Sequence, residues 1–500
     1  AGLILTPLLT SGRVKRLLIL APASLVEQWQ VRLREMFDIR IPIYAPNIDT
    51  ENSDYWNTHD KVVASAHTVR LDTGGRWDRL IDSKPWDMVL VDEAHHLNVD
   101  EERGRTLSFE LVENLQVRGR VYSMVFFTGT PHRGKDYGFL HLLKLLRPDD
   151  FDPMEPLETQ VRKLRTVMIR NNKSRVTDMK GRPIFTPVRQ HRETYSYTPE
   201  EARFYAKLTE FIATGKAYAA GLGQQQRRMA ILVLITMQKL ASSSVAAVRR
   251  AIAKRLERLK KAKEKMDISA PDLARINALL AEDDPANLDE LSRLEERVAE
   301  NLGDVIHLNP NEIPALEELL DAADEVVRET KIQRILEVVD EAFSDRSVLF
   351  FTEYKATQAL LMSALNSKYG DGCVTFINGD GFIEEVKKAN GDVHTQKEDR
   401  RRAAAHFNRG DVRFLVSTEA AGEGVDLQES CSSLIHVDLP WNPMRLHQRV
   451  GRLSRYGQTK PVDVITVRNP ETVESRIWEC LDQKLDRITL AFQGAMDDPE

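Results

Sequence analysis

Met88-Val89-Leu90-Val91-Asp92-Glu93-Ala94-His95-His96 sets two adjacent carboxylates at the end of a short run that is apolar on both faces. Such a run suits a strand buried between two layers, as in a parallel sheet covered by helices. Two neighbouring carboxylates at its end cannot both be packing residues, because burying unpaired charge is costly. Ligands of open α/β sheets bind outside the carboxyl ends of the strands. There one carboxylate can hold Mg²⁺ while the next polarises an attacking water, which is the division of labour phosphoryl transfer requires.

Similar runs lie on both sides of this stretch. Leu17-Leu18-Ile19-Leu20, Val62-Val63-Ala64 and Met124-Val125-Phe126-Phe127 accompany it, and a second set occupies 348–351, 374–377, 414–417, 434–437 and 462–467. Separated by polar and helical segments, they predict two parallel α/β layers. The middle, 196–330, reads as helical and charge-segregated. Val245, Val248, Ile252, Leu256 and Leu259 recur at spacings of three and four after Ser242-Ser243-Ser244, the stripe of an amphipathic helix. Its other face carries Arg249, Arg250, Lys254, Arg255, Arg258 and Lys260, whereas Leu288, Leu291, Leu294, Val298 and Leu302 stand among acidic residues. The expectation is a basic arm paired with an acidic arm as an antiparallel hairpin; contact of the basic arm with nucleic acid is the alternative.

Five hundred residues exceed what one core organises, and a 29% share of charged residues with 42% hydrophobic fits a folded chain. A net charge of -6 excludes a wholesale basic protein, although not a local basic groove. Three scattered cysteines, Cys373, Cys431 and Cys480, exclude a disulfide framework and a thiolate zinc cluster, and they fit a reducing cytoplasm. The longest apolar runs fall far short of the ~20 residues that cross a bilayer, so no membrane partner is expected.

Four further stretches carry chemistry. Gln448-Arg449-Val450-Gly451-Arg452-Leu453-Ser454-Arg455 spaces three arginines by three, which would set them on one side of a helix turn, and guanidinium groups suit a transferring phosphoryl group. Ser417-Thr418-Glu419-Ala420-Ala421-Gly422-Glu423-Gly424-Val425-Asp426 follows a strand and has the hydroxyls and glycines of a loop that lets phosphates pass closely. Ala21-Pro22-Ala23-Ser24 and Phe127-Thr128-Gly129-Thr130-Pro131 also follow strands.

Their order and spacing resemble helicase superfamily 2, and within it the Swi/Snf-type DNA translocases. In that family's terms 21–29 is similar to motif Ia, 92–95 to the DEAH box, 128–131 to motif III, 350–354 to motif IV, 417–428 to motif V and 448–455 to motif VI. The wording of 417–424 is nearer to the bacterial RNA-polymerase-associated remodeller branch. The resemblance implies two RecA-like lobes with the helical insertion between them, at 1–195, 196–330 and 331–475, followed by a helical tail at 476–500. It implies ATP and Mg²⁺ in the cleft between the lobes, with Asp92 on the metal and Glu93 on the water. His95 would couple the nucleotide to motif III through Thr128 and Thr130. Gln448, Arg452 and Arg455 would face the γ-phosphate, and Gly424 and Asp426 would line the nucleotide. Pro22, Ser24, Thr352 and Thr418 would lie along a DNA backbone, read without regard to sequence. RNA polymerase, repair or defence proteins are the implied partners.

The family's Walker A loop, ending Gly-Lys-Thr, is not found. Ala1-Gly2-Leu3-Ile4-Leu5 reads as the continuation of the helix that follows such a loop. The one near miss, Gly129 to Asp136, ends in an acid that would compete with phosphate. The expectation is a truncated front, which leaves this chain alone a weak ATPase; half of a split motor and a non-hydrolysing binding scaffold are the alternatives. A strand-separating helicase would use the same residues. Asn171-Asn172-Lys173 replaces a basic pair common in the family and receives no role.

Overall fold

The computed structural model describes residues 1–71, 74–101, 104–129, 131–132, 135–169, 173, 176–261, 308, 311–418, 425–440 and 443–470. They fall into two compact units, one within 1–170 and the other within 171–482. The stretch 288–302, Cys480 and the tail at 476–500 lie outside the described residues, as do Thr130 and Gly424.

The first unit is built on β1 (Leu17–Ala21), β2 (Lys61–Ser65), β3 (Trp86–Val91) and, beyond a short ribbon of β4 (Val99–Asp100) with β5 (Gly104–Arg105), β6 (Val121–Phe126). The sheet order is β2-β1-β3-β6 and every pairing is parallel. Alternation explains why these strands read as continuous apolar runs. Leu18, Leu20, Val62, Val89 and Val91 pack on one side with Trp56, Phe109 and Leu142. Leu17, Ile19, Val63, Met88 and Leu90 pack on the other with Leu5, Val26 and Leu33. Both faces are covered, as a parallel sheet demands.

The second unit holds β7 (Val188–Thr194), β8 (Val348–Phe351), β9 (Val374–Ile377), β10 (Phe382–Lys387), β11 (Val393–Lys397), β12 (Phe414–Ser417), β13 (Ser433–His436) and β14 (Val462–Arg468). Six of these form an all-parallel sheet in the order β7-β14-β13-β8-β12-β9. Two expectations are corrected here. The first boundary was drawn at 195, yet β7 pairs with β14 over seven residues and so belongs with the second sheet. The strand is polar and almost wholly exposed, an edge strand without the apolar run that marks the others. The charged stretch 379–402, with Asp380, Lys387, Lys388 and Arg400 to Arg402, reads in the sequence as a solvated loop or a DNA contact of the second lobe. It is an antiparallel ribbon of β10 and β11 followed by a helix, Arg400–Arg409. Ile383 and Val386 are buried, and the ribbon's register shifts between them, where Glu385 takes φ 61°.

Helices Pro199–Ala220, Gln224–Ser243, Val245–Lys261 and Glu312–Asp324 share one core. The predicted stripe from Val245 to Leu259 is buried in it. The acidic partner of the basic helix, among the described residues, is Glu312–Asp324: Arg249 pairs with Asp324, Lys260 with Glu317 and Arg255 with Glu312. Arg255, assigned to the outer face, is instead fully enclosed with Glu312.

Candidate functional site

In the first unit the site grows from the end of β3. Asp92 follows the strand, and its N–H donates to the Leu20 carbonyl of β1. Glu93 then takes the left-handed conformation, φ 48° and ψ 47°. For a residue with a Cβ this costs roughly 1–2 kcal/mol and persists only where surroundings enforce it, commonly at functional sites. It opens the short turn Ala94–His96, whose Ala94 N–H donates to the Phe127 carbonyl at 2.9 Å. The acidic turn and the segment after β6 are thereby joined through their backbones. Their side chains meet as well. His95 Nδ1 lies 3.2 Å from Thr128 Oγ1 and 3.1 Å from Glu93 Oε2; of the expected coupling residues His95 and Thr128 are in contact, and Thr130 lies outside the described residues.

Asp92 Oδ2 accepts from Trp29 Nε1 at 2.6 Å, and its Oδ1 accepts from the Glu93 N–H at 3.0 Å. Burial above all raises the pKa of Asp92; the indole hydrogen bond opposes this and the charge of Glu93 reinforces it. A buried carboxylate beside a second acid is the electrostatic condition that a bound divalent cation relieves. No group of three or more His, Cys, Asp or Glu side chains among the described residues is arranged to hold a metal. An ion on Asp92 would therefore complete its shell with phosphate and water oxygens, the usual habit of Mg²⁺. Trp29 was passed over in the sequence because nothing in its helix, Val26–Phe37, distinguishes it from a core aromatic. Pro22 is buried and Ser24 half-buried at the turn after β1. The near-miss loop is occupied otherwise: Lys135 pairs with Asp100, and Asp136 with His132.

In the second unit the three arginines separate. Helix Pro443–Gly451 ends before the second of them, so they do not share one helical side. Arg449 is 1% exposed, lies over the Phe351 ring at 5.5 Å and donates through Nη1 to the Asp438 carbonyl at 2.8 Å. Arg452 sits in the following turn and is partly exposed, as is Gln448 on the helix. Arg455 pairs with Asp426 and donates from Nε to the Gly451 carbonyl at 3.1 Å. Asp426, expected near the nucleotide, is thus the carboxylate that holds one of the arginines. Lys173 was given no role, yet its Nζ donates to the Ser454 carbonyl at 2.6 Å, one residue before Arg455. Burial and then the Arg455 charge hold its pKa below the ordinary lysine value.

Two expected DNA contacts are corrected. Thr352 is 0% exposed and donates to Asp438 Oδ2 at 2.6 Å, and Thr418 is 1% exposed behind β12. Neither residue is open to a phosphate outside, and the Thr352 hydroxyl ties the end of β8 to the segment after β13.

Comparison with known proteins bears on these arrangements. Residues 5–244 match the SNF2-related domain and residues 330–457 the helicase conserved C-terminal domain. The chain belongs to the Swi/Snf-type branch of helicase superfamily 2. It is 27% identical to an uncharacterized ATP-dependent helicase of Bacillus subtilis, YqhH, over 100% of this chain and 74% of that protein. It is 24% identical to the RNA polymerase-associated protein RapA of Vibrio campbellii, over 97% of this chain. The chain spans about half the length of that relative, 46%. Among solved structures it is similar to the helicase domain of Pyrococcus furiosus Hef, at TM-score 0.47 and 15% identity over 96% of this chain and 92% of that one. It is also similar to the Sulfolobus solfataricus SWI2/SNF2 ATPase core in complex with dsDNA, at TM-score 0.33 and 16% identity over 98% and 86%. The family is one of helicase-like, ATP-dependent enzymes. No described helix is long and apolar enough to cross a membrane.

Proposed function

We propose that the protein is an ATP-dependent motor on double-stranded DNA that moves along the duplex or displaces bound protein without separating the strands. The observation that carries this reading is the acid pair of the first unit: Glu93 held in a left-handed turn beside Asp92, with His95 against Thr128. In this reading Asp92 binds the Mg²⁺ of MgATP and Glu93 polarises the attacking water. His95 and Thr128, with Thr130, relay the state of the nucleotide. Gln448, Arg452 and Arg455 neutralise the charge that develops on the transferred phosphoryl group, and Gly424 and Asp426 line its surroundings. Arg455 exchanges Asp426 for phosphate on binding. Ser24, with Pro22 buried behind it, marks the DNA path of the first unit, and contacts to backbone phosphates make recognition independent of sequence and sensitive to salt. The setting is cytoplasmic, and an RNA polymerase complex is the favoured partner, in line with what RapA is named for.

The test is phosphate release by the full-length protein with and without duplex DNA, compared with Glu93→Gln and Arg452→Ala. Duplex DNA is expected to accelerate release, and each variant to lower it by about 10²-fold or more. Equal release in all three would refute these roles and favour a non-hydrolysing scaffold. Displacement of a triplex-forming strand, without release of a strand from a forked duplex, separates the translocase from a strand-separating helicase.

A further inference from the structure

Asp438 stands where three parts of the second unit meet. It lies two residues beyond β13 and is 3% exposed. Its Oδ2 accepts from Thr352 Oγ1 at 2.6 Å and from Ser243 Oγ at 2.7 Å. The Glu353 N–H points at both carboxylate oxygens, 3.1 Å from Oδ1 and 3.0 Å from Oδ2. Arg449 donates to its carbonyl and brings Nη2 within 3.6 Å of Oδ1. One buried carboxylate therefore joins the end of β8, the last turn of helix Gln224–Ser243 and the helix that leads to Arg452 and Arg455. A carboxylate removed from water is stable only when its acceptors are filled, so these partners hold one another in register.

The Ser243 end of this network sits at a break in the helical bundle. Ser244 is extended, with φ -161° and ψ 157°, and a new helix begins at Val245. Ser243 Oγ and Ser244 Oγ each lie 2.7 Å from Thr357 Oγ1. Lys331 Nζ donates to the Ser242 carbonyl at 2.8 Å, and the Glu329 carboxylate accepts from the Val245 and Ala246 N–H groups. Side chains of the sheet layer thus fix the junction of two helices, and Ser243 is the member of that junction that ends on Asp438.

We propose that Asp438 is the positioning residue of the arginine segment 448–455, acting through buried Arg449, and that Ser243 transmits the placement of the helical bundle to it. A displacement of the helices at the Ser244 break then alters the support of Asp438 and, through Arg449, the turn that carries Arg452 and Arg455. Its catalytic consequence rests on the nucleotide-facing reading of those two arginines; the mechanical link does not.

The experiment uses the full-length protein with Ser243→Ala, Thr352→Val and Thr352→Ser. Amide hydrogen exchange across 445–455, without nucleotide, is expected to quicken about ten-fold in the first two, the equivalent of one lost hydrogen bond to a charged acceptor. Thr352→Ser, which keeps the hydroxyl, is expected to restore the wild-type rate. DNA-stimulated ATP turnover should show a lower kcat at an unchanged KM in the same two variants. Unaltered exchange at 445–455, or an equal rise in β9 and β12, overturns the proposal, since the second result signals general loosening. A wild-type protein without DNA-stimulated hydrolysis would count against the proposed motor, while the exchange comparison still decides the positioning role.

Discussion

Arg255 and Glu312 make the most demanding energetic claim in the second unit. Their side chains are 0% and 1% exposed, Nε and Oε1 lie 2.5 Å apart, and Glu312 Oε2 also accepts from the Leu308 N–H at 2.9 Å. Two charges about 4 Å apart attract by about 4 kcal/mol at the effective dielectric of protein sites. The desolvation of both groups offsets most of that, so the pair adds little net stability compared with apolar residues. Breaking it is different, because the surviving charge stays enclosed. Glu312→Leu should lower the unfolding free energy of this unit by about 3–5 kcal/mol, a large part of the about 5–15 kcal/mol typical of a domain. Arg255→Met should cost about as much. Replacing both together should return to within about 1 kcal/mol of the wild type, apart from the orphaned Leu308 N–H. Urea unfolding followed by circular dichroism, arranged as a double-mutant cycle, measures all three. Two single changes that each cost under about 1 kcal/mol and simply add would refute the reasoning, since they would mean that water reaches the pair.

Glu329 supplies a pH signature. Burial pushes its pKa up to about 7 from an ordinary 4.5, against the pull of the Val245 and Ala246 N–H groups. The folded state therefore binds the proton more tightly than the unfolded one, so stability falls as pH rises from 4.5 through 7 and levels off above; in Glu329→Gln unfolding series this dependence of about 3 kcal/mol should be missing. Lys173→Met removes the ammonium from the Ser454 carbonyl. Because the residue as a whole is exposed, with only its ammonium drawn in against Ser454, melting should hardly change, whereas DNA-stimulated phosphate release should drop about three- to ten-fold; equal loss of both would mark the contact as merely structural. Trp29→Phe deletes the indole donor to Asp92 while keeping the aromatic bulk. A charge-assisted hydrogen bond contributes about 1.5–3 kcal/mol, so Mn²⁺ affinity in the presence of a non-hydrolysable ATP analogue should change by about ten-fold or more, and an unchanged affinity would exclude a positioning role for the indole.

What could be read in the sequence follows burial. Strands apolar on both faces announced themselves, from Leu17-Leu18-Ile19-Leu20 to Val462 onward, because a parallel sheet covered twice leaves no polar alternation. β7 gave no such signal, being Arg, Gln, His and Glu on an exposed edge that pairs with β14 through its backbone and is tied by Glu193 to Arg334. The acid pair was legible because charge at the end of an apolar run is rare without a purpose. Trp29 and Lys173 were not, since each acts through one long-range contact that no local spacing encodes. Arg255 was misplaced although a signal existed. It falls three residues after Ile252 and four before Leu259, inside the buried stripe, and a partner carboxylate was needed to make that position tenable.

The three arginines at 449, 452 and 455 put the same point in terms of chemistry. Equal spacing suggested one shared helical side, but spacing acts on a helix only while the helix lasts. After Gly451 the backbone turns: the Arg452 and Leu453 N–H groups donate to the carbonyls of Arg449 and Val450, and Arg455 Nε reaches back to Gly451. The turn leaves Arg449 on the inner side, enclosed by Phe351 and Asp438, and carries Arg455 outward to Asp426. A guanidinium that is 1% exposed and committed to a buried carboxylate has no route to a phosphate, however well its residue type suits one. Its work is to hold the turn. In the proposed motor the phosphate falls to Arg452 and Arg455 and Arg449 holds the turn, so substitution of Arg449 should loosen the segment as a whole rather than remove one contact from it.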